Sequence, residues 1–207
     1  LTVRQPRLRW PVPPQVQTCV SQSLVALARR SKYLLMDFGS SVMVVHLGMS
    51  GSLKIVSLGS EWDKHDHIQW EFESGALRLN DPRRFGSVEW FEKDPHAPDP
   101  YAAYPRFGAL GPEPFTAAFN PEGFHRALQS RKLAIKSLLL SGQAVVGVGN
   151  IYACEALFRS GIRPGRASSR VTRKEASLLH GAIVDVLGEA IERGGSSLRN
   201  FQAVDGQ

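Results

Sequence analysis

Between Tyr33 and Glu92 the chain is a succession of short apolar runs, and beyond residue 115 that pattern gives way to another. The runs are YLLMDF, SVMVVHL, GSLKIVSL, HIQWEFES, ALRLND and GSVEWFE. They are rich in β-branched and aromatic residues, and Gly, Ser or Asn separates them. HIQWEFE alternates apolar and polar side chains with the period of a half-buried strand. Short strands at this spacing predict antiparallel sheets in a sandwich or barrel.

Residues 93–115, KDPHAPDPYAAYPRFGALGPEPF, are rich in Pro and Gly and carry no period, as a linker would. Helical signals follow. NPEGFHRALQSR opens with Asn as N-cap and Pro at the first helical position. KLAIKSLLLSG and NIYACEALFRSG each end at Gly. In NIYACEALFRSG, Ile151, Cys154, Leu157 and Phe158 fall on one face, which is expected to be core. TRKEASLLHGAIVDVLGEAIERGG is a long amphipathic stretch with Thr172 and Glu175 spaced as a capping box. The fold class read from these patterns is α+β. An N-terminal antiparallel β-sandwich covers residues 1–92, a linker 93–115, and a helical domain 116–207.

Charge narrows the function classes. The formal net charge is +6, but it is unevenly placed. No acidic residue precedes Asp37, whereas Arg4, Arg7, Arg9, Arg29, Arg30 and Lys32 do. Between Glu122 and Glu175 Glu155 is the only acid, amid Arg126, Arg131, Lys132, Lys136, Arg159, Arg163, Arg166, Arg170, Arg173 and Lys174. Two basic regions on a globular chain point to a polyanion, or else to a solvated basic surface. No apolar run reaches the length of a membrane span. Cys19 and Cys154 are too few and too far apart for a disulfide framework or a zinc site, so a cytoplasmic protein with reduced thiols is expected.

The stretch QAVVGVGN ends in glycines two apart and an Asn at a helix start. Gly147 and Gly149 are free to take positive φ, and Asn150 sits where an N-cap belongs. The unpaired N–H groups of a helix N-terminus attract phosphate. No Lys-Ser/Thr pair follows, and no strand-turn-helix unit surrounds the glycines, which argues against nucleotide binding. An ordinary tight connection between helices remains the plain alternative.

Several further stretches match one family in order. RLRWPV, RRSKYLLM, HLGMSGSL, KHDH, NDPRRFG, LGPEP and VVGVGNIYACEALFRSGIRP together resemble the formamidopyrimidine-DNA glycosylase and endonuclease VIII family of base-excision repair enzymes, leaning to the formamidopyrimidine branch. The last stretch resembles that family's helix-two-turns-helix motif. The resemblance implies a bifunctional glycosylase and AP lyase that removes 8-oxoguanine and formamidopyrimidines from damaged double-stranded DNA. It also implies a monomer, with no membrane association.

Residue by residue, the resemblance implies that Lys32 contacts the phosphate near the lesion and assists β-elimination. His46, His65, Arg131, Lys136 and Asn150 would contact DNA. Met49, Arg83 and Phe85 would fill the gap left by an everted base, and Arg83 would also pair with the orphaned base, typically cytosine. Elementary chemistry agrees with parts of this. A Met on a glycine-flanked turn has little to pack on and suits a wedge. Arg donates and cannot accept, which suits the acceptor edge of cytosine. Plainer readings exist too: Met49 or Phe85 as core, and His65 and His67 as structural histidines sharing a strand face.

The family's chemistry begins at an amino-terminal proline followed by glutamate, whose amine forms an iminium at the sugar C1′ before β- and δ-elimination. This sequence opens LTVRQPRLRW, and no residue in it matches that nucleophile. The resemblance further implies one structural zinc ion in a four-cysteine finger, whose ligands are likewise absent from residues 1–207. The polypeptide as written is therefore expected to be inactive. The alternative is a non-catalytic nucleic-acid-binding module built on the helix-two-turns-helix motif.

Overall fold

The computed structural model describes residues 1–94, 96–101 and 103–195. They fall into two compact units, Leu1–Pro105 and the residues from Arg106 onward. The division lies inside the Pro- and Gly-rich stretch 93–115.

The first unit holds eight strands in two four-stranded antiparallel sheets. One sheet has the order β1-β6-β7-β5: β1 (Thr2–Val3), β6 (Asp66–Phe72), β7 (Gly75–Asn80) and β5 (Ser52–Val56). The other has the order β2-β3-β4-β8: β2 (Ala26–Arg30), β3 (Tyr33–Asp37), β4 (Ser41–His46) and β8 (Ser87–Glu92). Alternate residues of both sheets meet in one core. Met36, Met43, Val45 and Val88 pack with Ile68, Trp70 and Leu79. The Trp70 indole N–H points at the Met43 sulfur, 3.1 Å away, which joins the sheets at their centre. The α+β reading, with its antiparallel sandwich, is thus the observed architecture.

Two strands have no apolar signature. β2 is ALARR, a run of helix-forming residues, and β1 is only two residues long. Pairing with β3 over five residues makes β2 an edge strand, so tertiary pairing overrides local preference. KHDH departs from expectation as well. β6 begins at Asp66 and a register shift follows at Asp66/Ile68, so His65 sits in the preceding turn and does not share a strand face with His67. His67 is buried, with Nε2 2.8 Å from the Asp81 carbonyl oxygen.

The second unit is built on α1 (Pro121–Gln129), α2 (Ile135–Ser141), α3 (Asn150–Arg159) and α4 (Arg173–Glu192). Asn120 caps α1, accepting the Gly123 N–H at 2.9 Å. Thr172 and Glu175 form the capping box of α4. Leu128, Leu138, Leu139, Leu157, Leu179 and Ile183 make the centre of a single apolar core. On α3 the buried face is Ala153, Ala156 and Leu157, whereas Ile151, Cys154 and Phe158 are exposed, Phe158 by 83%. Small residues face inward because α3 packs closely on α4. The expected apolar face was therefore wrong at three of its four positions. Among the described residues no helix is long and apolar enough to cross a membrane.

Candidate nucleic-acid interface

The strand register collects the site residues of the first unit at one end of the sandwich. Arg30 pairs with Tyr33, Tyr33 with His46, and His46 with Ser87. In the other sheet Ser52 and Asp66 both pair with Asn80. The connections leaving that end are therefore the turn at 31–32, the turn at 47–51, the turn at 63–65 and the turn at 81–86. These carry Lys32, Met49, His65, and Arg83 with Phe85. His46 closes β4 beside them.

Lys32 lies in the tight turn between β2 and β3, after Ser31 in the left-handed region at φ 55°. Desolvation by the protein around it lowers its pKa below the ordinary lysine value. Its side chain is nonetheless exposed at the turn, within reach of a phosphate oxygen. His46 packs its ring on Tyr33, with centroids 4.9 Å apart. Its Nδ1 accepts the Gly48 N–H at 3.0 Å. A backbone amide can only donate, so the neutral ring carries its proton on Nε2. That tautomer presents a donor suited to an anion.

The turns bearing Met49 and Arg83 are built as one piece. Ser50 Oγ donates to Asp81 Oδ1 at 2.7 Å, and the Gly86 N–H donates to Asp81 Oδ2 at 2.8 Å. Arg83 N–H reaches Ser50 Oγ at 3.3 Å. The backbones touch. A Cβ on Gly48, which has φ 66°, would lie 2.5 Å from the carbonyl carbon and oxygen of Phe85. A Cβ on Gly86 would lie 2.8 Å from the His46 oxygen. Gly is required at such approaches. Arg84 holds φ 54°, a conformation that few non-glycine residues take and that surrounding structure must impose.

On this base, Met49 is 68% exposed and Phe85 43% exposed. Neither belongs to the core, so the plainer reading of both fails. The Arg83 guanidinium lies 4.6 Å from the centre of the Phe85 ring. One rigid platform thus displays a flexible apolar chain, an aromatic ring and a cation. Sequence reasoning missed its support, because Ser50 and Asp81 are far apart in the chain and nothing local pairs them.

It also missed the brace of the loop that ends in His65. Arg78 is 2% exposed. It donates to Gln69 Oε1 at 2.8 and 2.5 Å, to the Glu61 oxygen at 2.6 Å and to Asp66 Oδ2 at 3.2 Å. Trp62 stacks over it at 4.7 Å. Every donor direction of the guanidinium serves residues 60–69, which a buried cation requires. The His65 carbonyl then accepts the Asp81 N–H at 3.0 Å, tying this loop to the platform.

In the second unit the loop between α2 and α3 is pinned from inside. Ala144, Val145 and Val148 are buried in the helical core. Gly111 N–H donates to the Gly142 oxygen at 2.8 Å, and Val146 N–H to the Pro112 oxygen at 3.1 Å. A Cβ on Gly111 would lie 2.6 Å from the Gln143 oxygen, which accounts for the glycine in LGPEP. What remains outward is the tip. Gly147 has φ 82°. Gly149 does not: it is extended at φ −90°, ψ 179°, and it, not Asn150, is the N-cap of α3. Asn150 is instead the first helical residue, exposed, with no side-chain capping bond. Its amide is thereby available to a ligand at the open N–H groups of α3.

Lys136, on α2, places Nζ 3.1 Å from Cys154 Sγ, and Cys154 is one turn along α3 from Asn150 on the same face. Arg131 precedes α2 and is not on it. The bridge between Ala134 and Ala167 and the Ser168 N–H to Leu133 bond keep that segment extended. Arg131 Nε donates to Gln143 Oε1 at 2.8 Å, which holds the guanidinium against the same loop. All three predicted basic or amide groups of this unit therefore gather about one loop.

Comparison with known proteins bears on what these two arrangements are. The formamidopyrimidine-DNA glycosylase N-terminal domain family matches residues 1–88, and the formamidopyrimidine-DNA glycosylase H2TH domain family matches residues 110–202. The chain belongs to the formamidopyrimidine-DNA glycosylase family. The formamidopyrimidine-DNA glycosylase of Thiobacillus denitrificans is 48% identical over 207 residues, covering 99% of this chain and 74% of that one. That of Shewanella loihica is 45% identical over 208 residues, covering 100% and 74%. The chain thus spans about three quarters of these relatives. The crystal structure of MutM (Fpg) from Thermus thermophilus superposes with a TM-score of 0.79 at 36% identity, covering 90% of this chain and 67% of that one. The Lactococcus lactis enzyme bound non-covalently to DNA containing an AP site superposes with a TM-score of 0.76 at 31% identity, covering 84% and 66%.

Proposed function

We propose that the protein acts on damaged duplex DNA, and that the residues described here grip the duplex and hold it open while an oxidised purine is removed. Carrying this reading is the convergence of Lys32, His46, Met49, His65, Arg83 and Phe85 on one end of the sandwich, drawn from separate stretches of sequence. The family's activity, removal of 8-oxoguanine and formamidopyrimidines with AP lyase cleavage, fits that arrangement.

Each side chain has a part in it. Lys32 and the Nε2–H of His46 donate to backbone phosphates, His65 to a neighbouring one. When a nucleotide leaves the stack its contacts must be replaced, and Met49 and Phe85 supply apolar surface for that. Arg83 is held over the Phe85 ring, where its N–H groups face the acceptor edge of the widowed cytosine. In the second unit Lys136, Arg131, the Asn150 amide and the first N–H groups of α3 hold phosphates. The covalent step, through an iminium and β,δ-elimination, is assigned to the family's amino-terminal proline, and Leu1 does not inherit it.

A structural zinc ion belongs to the family resemblance, but the described residues do not fit one. Among them no cluster of His, Cys, Asp or Glu is placed to hold a metal. Cys19 is buried in the first unit and Cys154 is exposed in the second.

The test is to incubate the natural protein with a duplex holding 8-oxoguanine opposite cytosine in the presence of borohydride. A trapped covalent complex is expected. Binding to the lesion without trapping would leave the non-catalytic module as the better description. Failure to bind that duplex more tightly than an undamaged one would overturn both.

A further inference from the structure

The stretch RLRW carries the family resemblance, yet none of the roles above uses it. It forms a closed turn. Arg7 bridges to Pro11, Leu8 N–H donates to the Trp10 oxygen at 3.2 Å, and Val12 N–H to the Pro6 oxygen at 2.8 Å. Leu8 is buried in the sandwich core and acts as the peg of the turn. The other side chains point outward: Arg7 and Arg9 are exposed, and Trp10 is 44% exposed. The Arg9 guanidinium lies 5.6 Å from the Trp10 ring centre. The Arg9 N–H donates to the Gly86 oxygen at 3.0 Å. That bond fastens the turn to the end of the segment bearing Arg83 and Phe85.

We propose that the Arg7–Trp10 turn is a second duplex contact beside the wedge, with Arg9 on a backbone phosphate and the Trp10 indole against the sugar and base next to it. This rests on the reading of the protein as a binder of damaged duplex DNA. Three features select a phosphodiester strand as the occupant. The exposed charge has one sign: no acid precedes Asp37, and the adjoining turn adds Arg83 and Arg84 while its one acid, Asp81, is buried. A cation paired with an exposed aromatic ring matches the alternation of phosphate and π-face along a strand. The turn is already rigid, so little conformational entropy opposes docking. Its attachment to Gly86 makes it continuous with the gap-filling platform.

The probe is a duplex of about 15 base pairs with a tetrahydrofuran abasic analogue opposite cytosine, titrated at several salt concentrations. Arg9→Gln is expected to weaken binding about tenfold at low salt and to reduce the slope of log K against log salt by about one. Trp10→Ala is expected to weaken binding about tenfold. Trp10→Phe keeps a ring, so its affinity stays near wild type, but the DNA-induced change in tryptophan emission should largely vanish. That emission change decides the matter if Trp10→Ala fails to fold. The proposal is overturned if Arg9→Gln keeps the wild-type salt slope and Trp10→Phe keeps the wild-type emission change. Wild-type protein that shows no preference for the abasic duplex would defeat the functional reading itself. Wild-type preference with indifferent variants defeats the second contact alone.

Discussion

Ser50 donates a 2.7 Å hydrogen bond to Asp81, and this contact fixes the turn that bears Met49 against the turn that bears Arg83 and Phe85. Asp81 is fully buried and uses its second oxygen on the Gly86 N–H. Asp81→Ala would leave a hydroxyl and a buried amide without their acceptor, at a cost of roughly 1–3 kcal/mol. The stability loss should appear in thermal denaturation. A second effect separates platform from mere fold. If Met49 works only when the platform holds it, Met49→Ala should weaken binding to an abasic duplex in the wild type and much less in the Asp81→Ala background. Additive losses in that cycle would show the two turns acting independently.

Gly48 tests the same platform from the backbone. Its φ of 66° and the 2.5 Å approach to Phe85 act together against any side chain. Gly147 has φ 82° but nothing within 4 Å of its Cβ position. Gly147→Ala should therefore cost only the left-handed penalty, about 1 kcal/mol. Gly48→Ala should cost more than that, because two stretches of backbone must separate. Equal melting temperatures for the two variants would contradict the close approach.

Much of this was legible in the sequence where one residue type carried its own geometry. The strands from Tyr33 onward announced themselves by short β-branched and aromatic runs between turn residues, Asn120 and Thr172 by helix-cap chemistry, and the basic segments by charge. β2 was not legible, because ALARR becomes a strand only through its partner. The face of α3 was misread because burial there follows helix spacing: Ala153 and Ala156 fit against α4 where Phe158 would not. Asn150 was read as a cap from position alone, whereas the cap is the extended Gly149. The supports of the site, Asp81 and Arg78, were hidden because each acts on residues distant in sequence.

Asn150 and Asn120 make a matched pair. Asn120 caps α1 by accepting the Gly123 N–H, so Asn120→Ala should destabilise the protein by about 1 kcal/mol. Asn150 makes no such bond. Asn150→Ala should leave the melting temperature unchanged and weaken duplex binding roughly tenfold, the scale of one hydrogen bond to a charged group. A drop in stability with unchanged binding would return Asn150 to a structural role.

Lys32 should make binding sensitive to pH in the alkaline range. Desolvation lowers its pKa in the free protein, so the ammonium loses its proton earlier than an ordinary lysine does. A phosphate stabilises the charged form and raises that pKa on binding. Binding is then linked to proton uptake, and affinity falls as pH rises through the lowered value. Lys32→Met should bind more weakly at neutral pH and show a flatter alkaline profile. Parallel profiles for variant and wild type would remove Lys32 from the phosphate contact.

Glu175 should govern stability at the acid end. Its pKa is lowered to about 2 from an ordinary 4.5, first by the Arg166 guanidinium, then by the backbone and hydroxyl of Thr172. The Arg166 Nη1 contact is 2.5 Å, and both Thr172 contacts are 2.8 Å. A carboxylate whose folded pKa is depressed stabilises the fold in its ionised form. That contribution is complete above the unfolded value near 4.5 and is lost as pH falls toward 2. The melting temperature should decline across this window, and Glu175→Gln should reduce the decline because nothing at that position titrates. Arg166 and Glu175 side chains are 32% and 31% exposed, so added salt should also shrink the effect. Thr172→Ala removes the hydroxyl half of the box and should cost about 1 kcal/mol even at neutral pH. An acid profile identical in wild type and Glu175→Gln would show that the α4 box carries no pH-dependent stability.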